Sequence, residues 1–178
     1  MKKILAFAGS NNSASINHRL ISNVAGRIQG HQIKVFKLRD LEVPMYCIDM
    51  ELERGFPTDI KVFKNLIDAH DALIISVNEH NSTVSAFFKN ILDWLSRIDR
   101  NFLEGKKILL MSTSNGVRGG ASALEYTKGI LPRFGGQVID SFSFPSFKEN
   151  FEGNKVQNEV LDMGIEDVLT TFAHQIES

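Results

Sequence analysis

Three short polar segments of the chain carry the side chains that could bind a ligand. The first reads GSNNSASIN over residues 9–17 and places three serines and three asparagines at the start of a helical pattern. Hydroxyls, amides and free backbone N–H groups at a helix N-terminus suit a phosphate. The segment has neither the P-loop triplet nor the G-x-G-x-x-G pattern of a dinucleotide site. It indicates a terminal phosphate ester, although Ser15 or Asn17 could merely cap the helix. The candidate contacts are Ser10, Asn12, Ser15 and Asn17.

The second polar segment follows an apolar run over residues 72–77. A flat heteroaromatic ring could find amide and backbone partners there. A metal would need more ligands than this segment supplies, because the other histidines are scattered along the chain. The alternative interpretation is an exposed turn in which Ser82 caps the next helix. The candidate residues are Asn78, Glu79, His80, Asn81 and Ser82.

The third polar segment covers residues 113–120 and contains three glycines. Glycines allow a backbone to approach a ligand closely, and backbone N–H groups here could bond the edge of a ring. Arg118 could pair with a phosphate of an incoming substrate, or it could be a solvated side chain in a flexible loop. The candidate residues are Ser114, Asn115, Gly116 and Gly119.

The elements around these segments alternate between short apolar strands and longer amphipathic helices. The predicted strands cover residues 4–8, 33–36, 72–77, 108–111 and 138–144. The predicted helices cover residues 16–28, 58–69, 84–98, 120–134 and a C-terminal stretch through Ile176. Residues 39–57 read as irregular, with Pro44 and Pro57 as breakers. This alternation predicts an α/β fold whose parallel sheet is covered on both faces.

For five strands of this kind, the common doubly wound order is 2-1-3-4-5. In such a sheet a ligand binds at the carboxyl ends of the strands, where the strand order reverses between strands 1 and 3. The three polar segments all follow strands that end at this place. They are therefore expected to line one crevice.

Length and charge narrow the possible functions. The 178 residues are expected to form one domain over residues 1–178. The net charge of −1 gives no general attraction to nucleic acid or to anionic lipid. The apolar runs are far below the roughly 18 residues of a membrane span, and the N-terminus lacks a signal-peptide pattern. A single cysteine, Cys47, excludes a disulfide framework, so we expect a cytoplasmic protein in which this thiol is idle or packed.

In order, the three segments resemble those of the NADPH-dependent FMN reductase-like family of flavodoxin-like proteins. The first segment matches the family pattern at Gly9, Ser10, Ser15, Asn17 and Leu20. The most specific match is the stretch Lys89-Asn90-Ile91-Leu92-Asp93-Trp94, and Ser114 through Gly120 matches a third motif. The chain departs from the family at three places: Asn12 stands at a usual arginine, Asn78 at a proline and His80 at a tyrosine. The first of these departures removes a positive charge from the phosphate site.

The resemblance implies a flavodoxin-like fold that binds FMN. It places the phosphate at Ser10, Ser15 and Asn17 and the ring and ribityl chain near residues 79–82 and 114–119. NADPH or NADH would pass hydride to flavin N5, and the reduced flavin would then reduce a quinone, flavin or azo-type acceptor by ping-pong kinetics. The cofactor carries this chemistry, so no catalytic residue is required. His80 is a possible proton donor.

The sequence leaves two alternatives open. The same loops would fit a non-catalytic flavin-binding or electron-carrier module. A phosphate-ester hydrolase is a weaker alternative, because Cys47 lacks a Cys-x5-Arg signature.

The helix over residues 84–98 carries apolar side chains around much of its circumference, including Phe87, Phe88 and Trp94. This surplus predicts a subunit contact, and the family resemblance implies a homodimer or homotetramer through this helix. The alternative is that residues 39–57 of the same chain cover it.

Overall fold

The computed structural model describes residues 1–178. Its strands are β1 (Lys3–Ala8), β2 (Gln32–Phe36), β3 (Ala72–Val77), β4 (Glu79–His80), β5 (Thr83–Val84), β6 (Lys107–Thr113), β7 (Gln137–Phe144), β8 (Phe151–Glu152) and β9 (Lys155–Val156). Its α-helices are α1 (Ile16–Arg27), α2 (Ile48–Arg54), α3 (Thr58–Asp68), α4 (Ala86–Ile98), α5 (Ala121–Ile130), α6 (Phe147–Asn150) and α7 (Glu159–Glu177). Short 3-10 turns cover Leu38–Asp40 and Leu131–Phe134. None of the helices combines the length and the apolar content of a membrane span.

The central sheet has five parallel strands in the order β2-β1-β3-β6-β7. This confirms the predicted doubly wound, flavodoxin-like arrangement. Successive residues of a strand point to opposite faces, so Leu5 and Phe7 pack with α3, α4 and α5 while Ile4 and Ala6 pack with α1 and α7. Two cores therefore hold the carboxyl ends of β1, β3 and β6 side by side.

The interpretation of residues 39–57 as irregular was wrong for α2. This helix is only seven residues long and buries none of its side chains, so it lacks the long, buried stripe by which helical periodicity is recognised. It is instead held at Glu51, whose carboxylate accepts hydrogen bonds from the Tyr46 hydroxyl at 2.9 Å and from Arg97 Nε at 2.9 Å. Hydrogen bonds to side chains outside α2 therefore hold this helix in place.

The predicted helix over residues 84–98 begins later, at Ala86. Its N-cap is Ser85, whose hydroxyl accepts a hydrogen bond from Phe88 N at 3.2 Å and donates one to Gly9 O at 2.9 Å. Ser82 is not a helix cap, because it lies in the turn of the β4–β5 hairpin. The β-branched pair Thr83–Val84 suits this small antiparallel strand better than a helix start.

The inferred surplus of apolar surface on this helix was also wrong. Trp94 is fully buried within the chain, and its Nε1–H donates to Pro44 O at 2.8 Å. Asn90 Nδ2 donates to the same carbonyl at 2.9 Å, and Asn90 Oδ1 accepts from Tyr46 N at 2.7 Å. The segment over residues 39–57 therefore covers α4, which was the alternative. The Asn and Trp of the most specific sequence motif serve to hold this cover in place.

Two further differences lie beyond α4. The helix predicted over 120–134 ends at Ile130 and continues as the second 3-10 turn, where Pro132 cannot donate a helical hydrogen bond. Residues 147–156, for which the sequence predicted no element, form α6 and the β8–β9 hairpin. This insertion packs on α1, where the Arg19 guanidinium lies 5.3 Å from the ring centres of both Phe147 and Phe151.

Candidate functional site

The three polar segments meet at one cavity of about 300 Å³, here called the ligand cavity. It lies at the predicted switch point between β1 and β3. Its lining includes most of the predicted site residues and three others, Asn11, Ile16 and Thr113. The predicted residues that line it are Ser10, Asn12, Ser15, Asn17, Asn78, Glu79, His80, Ser114 and Asn115.

The first loop is shaped by its own short polar side chains. Ser10 Oγ accepts a hydrogen bond from Asn12 N at 3.3 Å, and Asn12 Oδ1 accepts one from Ala14 N at 2.8 Å. The Asn12 carbonyl then accepts from Ser15 N at 3.2 Å. Serine and asparagine favour such local turns, so the loop takes this form without apolar burial.

The loop leaves two backbone donors open at the start of α1. Ser15 is the N-cap, and its hydroxyl oxygen accepts from His18 N at 3.2 Å. The amides of Ile16 and Asn17 make no hydrogen bond within the chain. Free N–H groups at the positive end of a twelve-residue helix favour an anion. This is where the sequence predicted a phosphate.

The Asn17 side chain, predicted as a phosphate contact, makes hydrogen bonds within the chain. It is buried, its Oδ1 accepts from Ser76 Oγ at 2.7 Å and from Thr113 N at 3.1 Å, and its Nδ2 donates to Thr113 O at 3.1 Å. The side chain therefore ties α1 to the ends of β3 and β6, while its backbone N–H has no partner in the chain. Ser76 was not predicted, although a hydroxyl in an otherwise apolar strand is a signal that could have identified it.

Asn78 presents an unpaired acceptor in this region. Its Oδ1 is buried and has no hydrogen-bond partner, while its Nδ2 lies 3.2 Å from Nε2 of the exposed His80. A buried acceptor without a donor is costly unless a ligand supplies one. FMN carries an N–H group on its ring and hydroxyls on its ribityl chain, so the donor set of this cofactor fits the open position.

Glu79 caps a neighbouring helix. Its Oε2 accepts hydrogen bonds from Ser122 N at 2.8 Å and from Ala123 N at 3.1 Å, at the start of α5. The N-cap of that helix is Gly120, which has no side chain to satisfy these amides. The carboxylate of Glu79 therefore links the second polar segment to the third, in addition to lining the ligand cavity.

Replacing Glu79 by alanine is expected to lower the free energy of unfolding by about 1–2 kcal/mol, because two amides lose their acceptor and a charge leaves the helix N-terminus. Glu79→Gln retains an oxygen acceptor and should lose roughly half as much. Urea unfolding followed by circular dichroism measures both. Glu125→Ala, on an exposed position of the same helix, is the control, and equal stability of the two alanine variants would contradict the capping role.

Four predicted residues do not line the ligand cavity. Asn81 and Ser82 form the exposed turn of the β4–β5 hairpin with φ of 50° and 65°, as in a two-residue turn of type I′. Gly116 and Gly119 belong to the third segment but lie outside the lining of the cavity. A Cβ at Gly119 would lie 2.6 Å from Ser143 Oγ, because the loop crosses β7 closely at this point.

Comparison with known proteins agrees with this architecture. The family model described as NADPH-dependent FMN reductase matches residues 2–149. A quinone reductase of Escherichia coli (strain K12) is 30% identical over 172 residues, which cover 94% of this chain and 89% of the relative. An NAD(P)H-dependent FMN reductase of Pseudomonas aeruginosa is 30% identical over 122 residues, or 68% of this chain and 64% of the relative.

A solved structure shares the fold over nearly the whole chain. The flavoenzyme NAD(P)H:(acceptor) oxidoreductase FerB of Paracoccus denitrificans superposes with a TM-score of 0.81 at 24% identity, covering 99% of this chain and 98% of that one. At this identity the likeness supports the fold, while the family match and the two relatives carry the activity. The chain therefore belongs to the NADPH-dependent FMN reductase family and is an FMN-dependent NAD(P)H oxidoreductase.

Proposed function

We propose that the ligand cavity binds FMN and that the protein uses NAD(P)H to reduce a quinone. The observation that supports this most directly is the pair of free amides, Ile16 N and Asn17 N, in residues that line a polar cavity. Asn78 lines the same cavity, and its buried Oδ1 is unpaired. An anion site beside a residue with an unpaired acceptor matches the phosphate and the donor groups of a flavin nucleotide.

In this proposal the phosphate contacts are the hydroxyls of Ser10 and Ser15, the Asn12 side chain and the two free amides of α1. The ring lies between the β4–β5 hairpin and the third segment. Its contacts there come from Asn78, Glu79, His80, Ser114 and Asn115. Asn81, Ser82, Gly116 and Gly119 act by shaping the two walls.

Bound FMN supplies two-electron hydride chemistry, and the chain orients the reactants. His80 is exposed at the rim of the cavity. When its Nε2 accepts from Asn78 Nδ2, its proton resides on Nδ1. In this form Nδ1–H can donate a hydrogen bond to an acceptor at the rim, whereas proton transfer to the acceptor requires the imidazolium, in which both ring nitrogens carry a hydrogen.

The acceptor proposed is a quinone, the substrate in the name of the Escherichia coli relative, which aligns along most of this chain. The cavity is broad, polar and open to solvent at the carboxyl edge of the sheet. A single open face suits a flat donor and a flat acceptor that bind one after the other. We therefore expect ping-pong kinetics, in which the oxidised donor leaves before the acceptor binds.

Steady-state kinetics of the FMN-loaded protein test this function. Benzoquinone, an azo dye and free FMN are compared as acceptors with NADPH and NADH as donors. The expected result is parallel lines in double-reciprocal plots and the highest kcat/KM for the quinone. Intersecting lines would contradict the shared face, and a higher kcat/KM for either other acceptor would contradict the substrate class.

The assembly and the compartment are further parts of the proposal. A homodimer or homotetramer is expected, but its contact should involve the exposed apolar side chains of Met45, Ile48 and Leu52 rather than the covered face of α4. Light scattering during size-exclusion chromatography measures the assembly, and a monomer would contradict it.

The cytoplasm is the compartment proposed, because the single cysteine, Cys47, is an exposed free thiol, which a reducing environment preserves.

A further inference from the structure

A second cavity of about 210 Å³ lies on the other side of the first loop. Three residues, Ser10, Asn12 and Ser15, line both this cavity and the ligand cavity. The loop proposed to hold the FMN phosphate is thus the wall between them. The remaining lining residues of the second cavity are Ala8, Ser13, His18, Lys37, Leu38 and Arg39.

The two cavities differ in charge. The ligand cavity is lined by no lysine or arginine, and its one carboxylate belongs to Glu79. The second cavity is lined by Lys37, Arg39 and His18 and by no carboxylate. A phosphate monoester carries close to two negative charges at neutral pH, and charged hydrogen bonds are the strong ones in such sites. The cations near the first loop therefore lie in the second cavity.

The sequence places the cations outside the first loop. Asn12 occupies the position at which the family usually has an arginine, so the loop itself is neutral. Lys37 and Arg39 flank Leu38, which is only 1% exposed. The buried leucine anchors the 3-10 turn after β2 to the core, and this anchor holds the two cationic residues on the cavity wall.

His18 also lines the second cavity. Its pKa is lowered below the ordinary value, chiefly by burial and next by the positive charges of Lys37 and Arg39, while Asp40 opposes them. Asp40 Oδ1 lies 3.4 Å from Arg39 Nε and offsets part of its charge. Burial is the largest cause, but the charged causes are net unfavourable to a further cation. An anion is the complementary ligand.

We propose that the second cavity is a subsite for the phosphate of a phosphate monoester, with Lys37 and Arg39 as its charged contacts and Ser10, Ser13 and Ser15 as its neutral ones. The inference rests on the proposed function for the identity of the nucleotide. The source that fits is the ribose phosphate that distinguishes NADPH from NADH, because the terminal phosphate of FMN is already assigned to the amides of Ile16 and Asn17, which line only the ligand cavity.

The test uses the full chain, purified free of flavin, with the double variant Lys37→Gln/Arg39→Gln. FMN and riboflavin are titrated against protein by flavin fluorescence. The FMN-loaded variant should show a rise of about tenfold or more in KM for NADPH and none for NADH. A rise in the Kd for FMN, with the Kd for riboflavin and the KM for NADPH unchanged, would show that these charges act on the FMN phosphate and would overturn the separate subsite.

Three controls complete the design. Lys61→Gln/Arg133→Gln removes one lysine and one arginine charge from exposed positions elsewhere. It should change neither the ratio of the Kd values for FMN and riboflavin nor the ratio of the KM values for NADPH and NADH. Asp40→Asn should lower the KM for NADPH relative to that for NADH, which is opposite to the effect of the double variant, because it removes the charge that offsets Arg39. Inorganic phosphate should raise the Tm of the wild type more than that of the double variant.

The outcomes separate the inference from the proposed function. A rise in KM specific to NADPH supports the subsite. If the double variant matches the control double variant in both ratios and in the Tm shift with inorganic phosphate, the subsite is overturned. If the wild type binds neither flavin but inorganic phosphate still stabilises it more than the double variant, the subsite stands and the proposed function fails.

Discussion

The variant Asn17→Ala is expected to lower the free energy of unfolding by about 2–4 kcal/mol. The Asn17 side chain makes three hydrogen bonds that join α1 to Ser76 in β3 and to the backbone of Thr113 in β6. All three residues are buried, with Ser76 and Thr113 at most 1% exposed. Alanine leaves a hydroxyl, an N–H and a carbonyl without partners in the interior, and each such group retains its cost of desolvation.

The same substitution should weaken FMN binding, because Thr113 immediately precedes Ser114 and Asn115 in the wall of the ligand cavity. Urea unfolding measures the stability, and flavin fluorescence measures the Kd. Asn11→Ala is the matched control for stability alone, because Asn11 is exposed in the same loop and its side chain makes no hydrogen bond, but it also lines the ligand cavity. A stability of Asn17→Ala equal to that of the control would show that the three bonds contribute nothing.

The parts of the fold that could be predicted are those that local pattern determines. Ala72–Val77 is apolar apart from Ser76, as a strand buried on both faces must be, and α3 shows helical spacing at Ile60, Phe63 and Ile67. Once the strands are parallel, connection rules leave few topologies. The position of the ligand cavity followed from the strand order, before any single residue had been assigned a role.

The roles of individual site residues could not be predicted in the same way. Asn17 and Glu79 are polar residues in polar loops, and their partners are 96 and 44 positions away at Thr113 and Ala123. Nothing local distinguishes a side chain that binds a ligand from one that caps a helix or joins two strands. Only the fold brings Glu79 to the amides at the start of α5.

The helix over residues 84–98 illustrates a different limit. Its periodicity correctly indicated that more than one face is apolar, but a pattern does not say what covers a face. Here the cover is the chain's own segment around Pro44 and Tyr46, through hydrogen bonds from Trp94 and Asn90 to one carbonyl. A second subunit would have produced the same sequence pattern.

Replacing Gly119 by alanine is expected to destabilise the fold by about 2–4 kcal/mol, through a strained backbone and a collision with β7. Gly119 has φ of 57°, in the left-handed region that side chains disfavour. A Cβ there would lie 2.6 Å from Ser143 Oγ and 2.7 Å from the carbonyl carbon and oxygen of Phe144. Two of these three atoms are backbone, so relief requires the loop or the strand to move.

A shift of this loop should also displace the wall of the ligand cavity. The Gly119 carbonyl accepts a hydrogen bond from Ser112 Oγ at 2.8 Å, and Ser143 Oγ donates to Arg118 O at 2.8 Å, so the crossing is fastened on both sides. Displacing it shifts Ser114 and Asn115, and the Kd for FMN should rise together with the loss of stability. Gly116→Ala is the control within the same loop, because its nearest neighbour would be Ser114 Oγ at 3.6 Å and its φ is not positive. Thermal unfolding should separate the two variants, and a Gly119→Ala protein as stable as Gly116→Ala would mean that the loop can leave β7 without cost.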